Sequence, residues 1–389
     1  MPIASDNSAR PPVRLGIIGT GLAAKKLHWP ALSLMPNMYS VVGFANRTRS
    51  TAEEFASLAG LSMDDYFADY RALIDRSDVE EVLVGVPITS LLAVTRECLE
   101  AGKHVIAEKP PGGSEAEAKD FAALVDRYPR QKTLMAEQCF YQDDLRFARS
   151  LIDAGAIGDP RLLIQRTLKG ELPVPGSFAS TPWRYRPEYP GGSLLDGGVH
   201  PIAAFRLLLG DVTSICARTE WLNSTISAPS TVAMTFGFAN GGTGDFVYAS
   251  LDNPFFREMT DTRILGTTGA LEIGRHIVRH IHADGSMDQH DFAGSNSFYN
   301  EFVNFFEALA YDAPIVGTVA QSVKNMIIVL RALQSAESNQ VIETSGEEWN
   351  QPPTGVALWR RHGAEGLFDG LPTRLTSRRV LREGGVVAA

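Results

Sequence analysis

The chain has 389 residues, 44% of them hydrophobic and 21% charged, so it can bury a sizeable core, and its length predicts two domains. It carries 36 Lys and Arg against 45 Asp and Glu, a net charge of −9, which argues against a nucleic-acid or anionic-membrane partner. No apolar run is long enough to span a bilayer, and residues 1–12 contain no apolar signal segment. The three cysteines lack the CxxC spacing of a zinc or redox site. We therefore expect a cytoplasmic protein with reduced thiols, no metal centre and no membrane partner.

Strands and helices alternate from residue 13 to residue 140. Apolar runs predict strands at 13–19, 39–47, 80–87, 103–110 and 133–140. Helices are predicted from about Leu22 to Pro30 and over 51–60, 70–76, 91–102 and 114–128. In the second of these, Thr51 and Glu54 fit a capping box and Gly60 a C-terminal stop. This alternation predicts a parallel sheet covered on both faces, an α/β dinucleotide-binding (Rossmann) domain over 13–140 after a flexible arm at 1–12.

The pattern changes after Asp159-Pro160. Alternating segments separated by Gly, Asn, Asp or Ser turns predict an α+β domain over 141–345 with an open-faced, mainly antiparallel sheet. A helix is expected to begin near Gly197 or Gly198, and two more are expected at 297–310 and 319–338. Residues 346–389 contain two Trp and six Arg but little periodicity, so this extension has no predicted role.

Directly after the first strand stands Gly19-Thr20-Gly21-Leu22-Ala23-Ala24, a GxGxxA sequence that opens a helix. Its first glycine permits a tight turn, its second lets the backbone approach a pyrophosphate, and Ala24 lets the helix lie close to the strand. The free N–H groups of the helix N-terminus then face the phosphates. Two glycines at a strand–helix junction can also be a turn without function, but the strand–loop–helix–strand context favours dinucleotide binding.

Two further motifs lie where chemistry is expected. Glu108, Lys109 and Pro110 end the fourth strand, at the sheet edge where ligands bind in doubly wound folds. Far along the chain, GGSLLDGGVH places Asp196 and His200 four residues apart at a predicted helix start, where they can share a face. Pro201 is tolerated in a first helical turn, which needs no N–H donor. A surface lysine, a helix-capping aspartate and an ordinary histidine are the alternative interpretations.

Taken together, these motifs resemble the Gfo/Idh/MocA oxidoreductases, the NAD(P)-dependent sugar and cyclitol dehydrogenases and dihydrodiol dehydrogenases. The resemblance runs from about Val13 to about Ile342. It is carried by GxGxxA, by AGKHVIAEKP, by AGAIG at 154–158, by the pair Trp183-Arg184 and by GGSLLDGGVH. It implies an active site in the cleft between a Rossmann domain and an open-faced sheet, a catalytic trio of Lys109, Asp196 and His200, and a cis bond between Lys109 and Pro110.

The same resemblance assigns two sets of binding residues. The cofactor set is Gly19, Thr20, Gly21, Leu22, Ala23, Asn46, Arg47, Ser50, Val86, Pro87, Glu108 and Lys109. The substrate candidates are Tyr141, Gln142, Trp183 and Arg184, although a Trp beside a Pro-rich loop, as Trp183 is, is more often a packing residue. Two departures from the family pattern stand out: Leu91 occupies a position that commonly holds histidine, and residues 111–114 form an unusual Pro-Gly-Gly-Ser loop.

Oxidation of a secondary alcohol sends a hydride to the nicotinamide while a proton leaves oxygen. His200 is the expected general acid/base, and a place at a helix N-terminus should favour its neutral form. Asp196 can orient that ring or bind a neighbouring substrate hydroxyl. Lys109 can stabilise the developing negative charge on oxygen or can itself carry the proton, and the sequence does not separate these roles.

The second strand ends in Ala45-Asn46-Arg47-Thr48-Arg49-Ser50, without the carboxylate that NAD-selective domains usually carry there. Arg47 can pair with a 2′-phosphate, and Thr48, Ser50 and Arg49 add donors or charge nearby. We therefore expect NADP, with NAD as the alternative.

Four of the eight histidines fall between 276 and 290. His276, His280 and His282 are predicted to share one face of a strand, with His290 on the next strand. Such spacing is too extended to chelate one ion without a bulge, so we favour a polar or interfacial face over a metal site.

The leading hypothesis is an oxidoreductase acting on a secondary alcohol or ketone of a sugar, cyclitol or cyclic diol. The alternatives are a non-catalytic nucleotide-sensing regulator and a glycosidase that works through transient oxidation. One sheet face lacks a predicted helical cover, which favours a homodimer or homotetramer, with the Arg-rich tail after Glu347 bracing the interface.

Overall fold

The computed structural model describes residues 10–170, 174, 176–182, 186–226, 228–252, 259–350 and 355–380. These residues form two compact units. The first contains the described residues up to Gly112 together with Asp120–Ala136 and Phe298–Val319, and the second contains Gly113–Lys119, Glu137–Ser297 and the described residues from Ala320 onward. Within the described residues, no helix combines the length and the apolar character that crossing a bilayer requires.

A six-stranded parallel sheet forms the centre of the first unit, in the order β3-β2-β1-β4-β5-β6. Its strands are β1 (Val13–Ile18), β2 (Tyr39–Ala45), β3 (Tyr66–Phe67), β4 (Glu81–Val84), β5 (His104–Glu108) and β6 (Thr133–Ala136). The strand order reverses between β1 and β4, the place where doubly wound sheets bind ligands. The predicted Rossmann fold is therefore confirmed.

Helices follow the strands of this sheet at the predicted intervals. They are α1 (Trp29–Leu32), preceded by a π-helical turn at Ala24–His28, and then α2 (Arg49–Ala59), α3 (Tyr70–Ile74), α4 (Ile88–Glu100) and α5 (Glu115–Arg127). The expected capping box of the second helix is wrong, because α2 begins two residues before Thr51, with Thr48 as its N-cap. Its predicted end at Gly60 is confirmed, since that glycine adopts the left-handed conformation at φ 68°.

The second unit contains a ten-stranded sheet in the order β15-β8-β9-β10-β7-β11-β12-β13-β14-β16. Its strands are β7 (Pro160–Gly170), β8 (Val212–Glu220), β9 (Thr231–Phe238), β10 (Thr243–Leu251), β11 (Met259–Gly266), β12 (Gly269–Gly274), β13 (Ile277–His282), β14 (Met287–Ala293), β15 (Ile342–Glu343) and β16 (Arg374–Val380). Strands β7 and β10 pair in parallel, while the other neighbours pair in antiparallel. The prediction of a mainly antiparallel sheet is confirmed.

The remaining long helices are α6 (Asp143–Asp153), α7 (Ser193–Leu209), α8 (Ser297–Tyr311) and α9 (Val319–Ser338). The start predicted for α7 near Gly197 or Gly198 is wrong, since the helix begins four residues earlier, after Gly192 at φ 47°. Pro201 therefore lies inside the helix rather than in its first turn. It removes the N–H that would bond the carbonyl of Gly197, and the adjacent glycines give that turn room to adjust.

The part of the C-terminal extension that the structure describes belongs to the second unit. Strand β16 pairs with β14 at one edge of the sheet, although the sequence showed no periodicity there. The fully buried guanidinium of Arg146 donates to the carbonyls of Trp359 and Leu367 at 2.9 and 2.8 Å and pairs with Asp143 at 2.6 Å. Buried, charge-assisted bonds of this kind fix the extension on α6.

A buried carboxyl in the first unit gives a stability prediction. Glu81 begins β4, is fully buried, and neither of its oxygens has a hydrogen-bond partner within the described residues. Desolvation raises its pKa well above 4.5. A raised folded-state pKa makes folding less favourable as pH climbs above the unfolded value, because only the unfolded chain then loses the proton readily. Glu81→Gln should thus increase the free energy of unfolding at pH 7 by roughly 1–3 kcal/mol.

Urea unfolding at pH 7 and near pH 4.5 measures this effect, and the gain should vanish at the lower pH. Glu80→Gln is the matched control, because Glu80 pairs with Arg10 and Arg14 and its loss should not stabilise the fold. Equal gains at both pH values would contradict the assignment.

Candidate functional site

The phosphate loop has the backbone geometry that its glycines predict. Gly19 adopts φ 92°, and a Cβ there would come within 2.2 Å of the carbonyl oxygen of Gly85. Only glycine fits where β1 and β4 bring the two backbones so close. A Cβ on Gly21, by contrast, meets no atom within 4 Å. The second glycine therefore keeps open space beside the backbone rather than relieving a clash, which is what a ligand approaching the main chain requires.

The helix after the loop is arranged as expected. The first helical hydrogen bond runs from Lys25 N–H to the carbonyl of Gly21, so the N–H groups of Leu22 and Ala23 have no acceptor in the helix. Ala24 is buried. Thr20 is also fully buried, so its hydroxyl is not accessible to a ligand in this conformation.

The end of β2 holds the residues predicted to select the cofactor. The amide oxygen of Asn46 accepts from Thr20 N–H at 3.3 Å, and its NH₂ group donates to Thr48 O at 2.9 Å, so this side chain links the second strand to the phosphate loop. Arg47 is exposed and forms no hydrogen bond or ion pair with a described residue. Arg49 forms an ion pair with Glu53, with its Nε 2.9 Å from a carboxylate oxygen. Ser50 is exposed in the first turn of α2.

The segment after β4 and the segment after β5 supply the other predicted cofactor residues. Val86 and Pro87 follow β4, with Val86 partly exposed and Pro87 exposed as the N-cap of α4. Glu108 ends β5, Lys109 is partly exposed, and the peptide bond to Pro110 is cis, as the family resemblance implies.

Sequence reasoning missed the partner of Glu108. Nε2 of His28 lies 2.6 Å from the Glu108 carboxylate, and the imidazole is 1% exposed. The edges of two aromatic rings, Phe298 and Phe302, enclose it. His28 lies on the helix that the phosphate loop opens, so it joins that helix to the end of β5. Its position two residues before Pro30 gave no signal of this role.

Both departures from the family pattern have a structural account. Leu91 is 1% exposed and belongs to the core beneath α4. In the loop at 111–114, Gly113 N–H donates to Glu117 at 2.7 Å while Ser114 Oγ accepts from Glu117 N–H at 3.2 Å, a reciprocal cap that starts α5. A Cβ on Gly113 would come within 2.8 Å of Tyr189.

In the second unit, helix α7 carries both Asp196 and His200. Asp196 is in its first turn and is 9% exposed. Nδ1 of His200 lies 2.7 Å from a carboxylate oxygen of Glu137, a residue that the sequence analysis did not single out. Because His200 is the eighth residue of α7, the expected influence of the helix dipole on its charge is wrong; that effect is confined to the first turn.

The predicted substrate residues have different environments. The side chain of Tyr141 has no exposed surface and packs against Trp359 with ring centroids 5.7 Å apart, so in this conformation it offers no atom to a substrate. Gln142 is partly exposed and donates to Gln138 at 2.7 Å. Trp183 and Arg184 lie outside the described residues.

Two other side chains lie near the glycine turn of α7. The hydroxyl of Tyr248 on β10 would be 3.6 Å from a Cβ on Gly197, between Asp196 and His200 in the chain. The Lys169 ammonium lies 5.3 Å from the centroid of the Tyr248 ring. Both come from the parallel pair β7–β10, a pairing that the sequence analysis did not predict.

The histidine-rich segment differs in one respect from its prediction. His276 precedes β13 with φ 60° and so is not on the strand. His280 lies 3.0 Å from the carbonyl of Ala156, and His282 lies 2.7 Å from Asp288. These three side chains, His280, His282 and Asp288, bring possible ligand atoms within 4.8 Å of one another, but their polar contacts already account for their placement.

Comparison with known proteins agrees with the folds of the two units. The model of the oxidoreductase family GFO/IDH/MocA, NAD-binding Rossmann fold, matches residues 13–136, and that of the GFO/IDH/MocA C-terminal domain matches residues 145–272. A dTDP-3,4-didehydro-2,6-dideoxy-alpha-D-glucose 3-reductase of Streptomyces violaceoruber is 34% identical over 200 residues, 51% of this chain and 55% of that protein. The chain thus spans little more than half the length of this relative.

Solved structures share the fold over most of the chain. An oxidoreductase from Thermotoga maritima superposes with a TM-score of 0.78 at 28% identity, covering 85% of this chain and 98% of that one. An inositol dehydrogenase homolog from Azotobacter vinelandii, solved with NADH and myo-inositol, gives a TM-score of 0.73 at 19% identity and covers 86% of this chain and 98% of that one.

Proposed function

Because the chain belongs to the Gfo/Idh/MocA oxidoreductase family, we propose that it interconverts a secondary alcohol and a ketone on a sugar, cyclitol or related cyclic diol. The observation that carries the proposal is the phosphate loop, where Gly19 must be glycine for packing and Gly21 keeps its open side for a ligand. The similarity to a reductase of a dTDP-linked keto sugar and to a homolog solved with myo-inositol supports a sugar or cyclitol ring as the substrate class.

Lys109, Asp196 and His200 are the proposed catalytic trio. A bound nicotinamide dinucleotide would accept or donate the hydride. His200 exchanges a proton with the reacting oxygen, because an imidazole is effective as acid and base near neutral pH. Lys109 hydrogen-bonds that oxygen and stabilises its developing negative charge. Asp196, one helical turn before His200, binds a neighbouring hydroxyl or orients the ring.

We propose NADP as the preferred dinucleotide. The end of β2 has Asn46 where a carboxylate would repel a 2′-phosphate, and the amide is already bonded to the phosphate loop. Arg47 is the exposed guanidinium next to it without a partner in the described part of the chain. A planar guanidinium binds phosphate through paired N–H groups.

The direct test is a panel of sugars, inositols and trans-diols, assayed by reduced-nicotinamide absorbance with each dinucleotide. We expect turnover on at least one cyclic polyol and faster turnover with NADP. Dinucleotide binding without turnover on any member would contradict the proposal and favour a nucleotide-sensing regulator. Release of an aglycone without net cofactor turnover would instead favour the redox-assisted glycosidase.

A homodimer, or a dimer of dimers, is also proposed. The register of β7, β10 and β11 places a group of incompletely buried apolar side chains on one sheet face, comprising Leu162, Ile164, Val247 and Leu265. The same face carries Arg166, Asp245 and Arg263, and a mixture of apolar and charged side chains is the usual composition of a protein interface. Light scattering should give at least twice the 42.3 kDa chain mass, and Leu265→Glu should shift it toward the monomer. A wild-type monomer at all concentrations would contradict this assembly.

A further inference from the structure

Glu137 occupies a position that the proposed trio does not explain. It follows β6 directly, and its side chain is fully buried. One carboxylate oxygen, Oε1, accepts from Cys139 N–H at 3.2 Å and lies 2.7 Å from Nδ1 of His200. The second oxygen, Oε2, has no hydrogen-bond partner within the described residues. Burial of a carboxylate is costly, so its main polar contact deserves a functional account.

We infer that Glu137 is a positioning residue for His200, holding its ring in the tautomer with the proton on Nδ1 and stabilising the ring when it is charged. This inference rests on the acid/base role proposed for His200. A carboxylate accepts but cannot donate, so a neutral imidazole 2.7 Å away must present Nδ1–H to it. Nε2 is then the basic nitrogen left for the substrate, the arrangement used by carboxylate–histidine pairs in hydrolases.

The geometry fixes both members of the pair. Glu137 is the N-cap of the short 3₁₀ turn Gln138–Tyr141, so its carboxylate is held by main chain as well as by the imidazole. Helix α7 packs on that turn and on α6. The His200 side chain is 27% exposed whereas that of Glu137 is fully buried, so the pair has an accessible end and a closed end.

Glu137 contacts the ring, whereas the two neighbouring carboxylates on α6 have other partners. Asp143 and Arg146 on α6 neutralise each other at 2.6 Å. Asp144 accepts from the main-chain N–H groups of Leu145 and His276. On α7 itself, Asp196 lies four residues before His200. The other nearby groups are the Cys139 thiol, Lys169 and the Tyr248 hydroxyl.

In the oxidation direction, the alcohol O–H bond breaks and its proton goes to Nε2 of His200. A bound nicotinamide would take up the C–H electron pair as hydride, which leaves the carbonyl. The proton on Nδ1 stays in place, facing the Glu137 carboxylate. Glu137 therefore contributes through charge and orientation, and no second proton is transferred.

A metal ion is the competing explanation for this cluster. Glu137, Cys139 and His200 place possible ligand atoms within 4.8 Å of one another. Desolvation raises the pKa of the Cys139 thiol well above its usual range, and the neighbouring Glu137 raises it further. Since the thiolate is the form that binds metals, a thiol kept protonated favours the hydrogen-bonded pair.

The test is long-range ¹H–¹⁵N NMR of the full chain with labelled histidine. The signals that are present in the wild type and absent in His200→Ala belong to His200. Wild-type His200, when neutral, should be the Nδ1–H tautomer, and Glu137→Gln should yield a mixture of tautomers. In steady-state kinetics, Glu137→Gln should lower kcat by about 10–100-fold and leave KM within about threefold. The acidic limb of its kcat/KM profile should move to lower pH, because loss of an adjacent carboxylate makes the charged imidazole less favourable.

Cys139→Ser is the matched control, because it keeps the main-chain N–H bond to Glu137 and should preserve tautomer and pH profile. Asp196→Asn separates the effect of the second carboxylate on the pH profile. A wild-type Nε2–H tautomer, or an unchanged tautomer and profile in Glu137→Gln, would overturn the inference. So would one equivalent of zinc in the wild-type chain that Glu137→Gln and Cys139→Ser both lose. The tautomer measurement needs no turnover, so it judges the pair even if no substrate is found.

Discussion

Lys109→Met, Asp196→Asn and His200→Ala should each lower kcat on a cyclic polyol by about 10²–10⁴-fold, the range typical of a lost acid/base or charge-stabilising group. Dinucleotide affinity should stay close to wild type in Asp196→Asn and His200→Ala, because both residues lie in the second unit. The three losses should not add in double variants, as expected of groups that act as a unit. Steady-state kinetics with separate fluorescence titration of the dinucleotide measures both quantities.

Substitutions of the same residue types outside the trio control for a nonspecific loss of folding or activity. His282→Ala removes a histidine paired with Asp288 on neighbouring strands, and Lys132→Met removes an ammonium paired with Asp312. Both variants should retain near-normal turnover. The trio is wrong if all three of its variants do the same on a confirmed substrate.

Arg47→Ala should weaken NADP binding by roughly 10- to 100-fold and leave NAD binding nearly unchanged. The lost interaction is a charge-assisted hydrogen-bonded pair, which contributes about 1.5–3 kcal/mol. Arg47 is available to bind a phosphate, because it is exposed and forms no hydrogen bond or ion pair with a described residue. Isothermal titration with both dinucleotides gives the two affinities directly.

Arg49→Ala is the control for a simple loss of positive charge at this end of β2. Its guanidinium bonds Glu53 and lies 5.6 Å from the centre of the Tyr66 ring, so we expect a smaller change in NADP affinity. Equal weakening of both dinucleotides by Arg47→Ala, or tighter wild-type binding of NAD, would exclude the proposed preference.

The Rossmann half could be predicted in detail because its signals are local. Buried runs of β-branched and aliphatic residues define strands, and Gly19 and Gly60 stand where left-handed or crowded backbone excludes other residues. The sequence places the start of α7 too late, because Gly197 and Gly198 resemble a helix break. The helix in fact begins at Ser193, where its buried face begins. Long-range packing determined that outcome.

Long-range packing also explains why the sequence does not identify Glu137 as a functional residue. Glu137 ends up beside His200 although 63 positions separate them, and nothing in the local sequence indicates that pairing. Its position in the predicted sheet could nevertheless have marked Glu137 as a candidate site residue. Glu108 is the last residue of β5 and Glu137 directly follows β6, so both lie at the carboxyl end of a buried parallel strand, the edge where such sheets place functional side chains.

The edge strand β16 has a consequence for how the protein avoids association of the wrong kind. An unpaired strand edge can recruit strands from other chains and seed aggregation. Here β16, the last strand among the described residues, covers β14 and carries the exposed Arg374 and Arg378, whereas Arg379 donates to Ser286 Oγ at 2.6 Å. Like charges along an outer edge repel an identical edge of another molecule. These charges make edge-to-edge pairing of β16 unfavourable, and removal of the residues from 374 onward should expose β14 to such pairing.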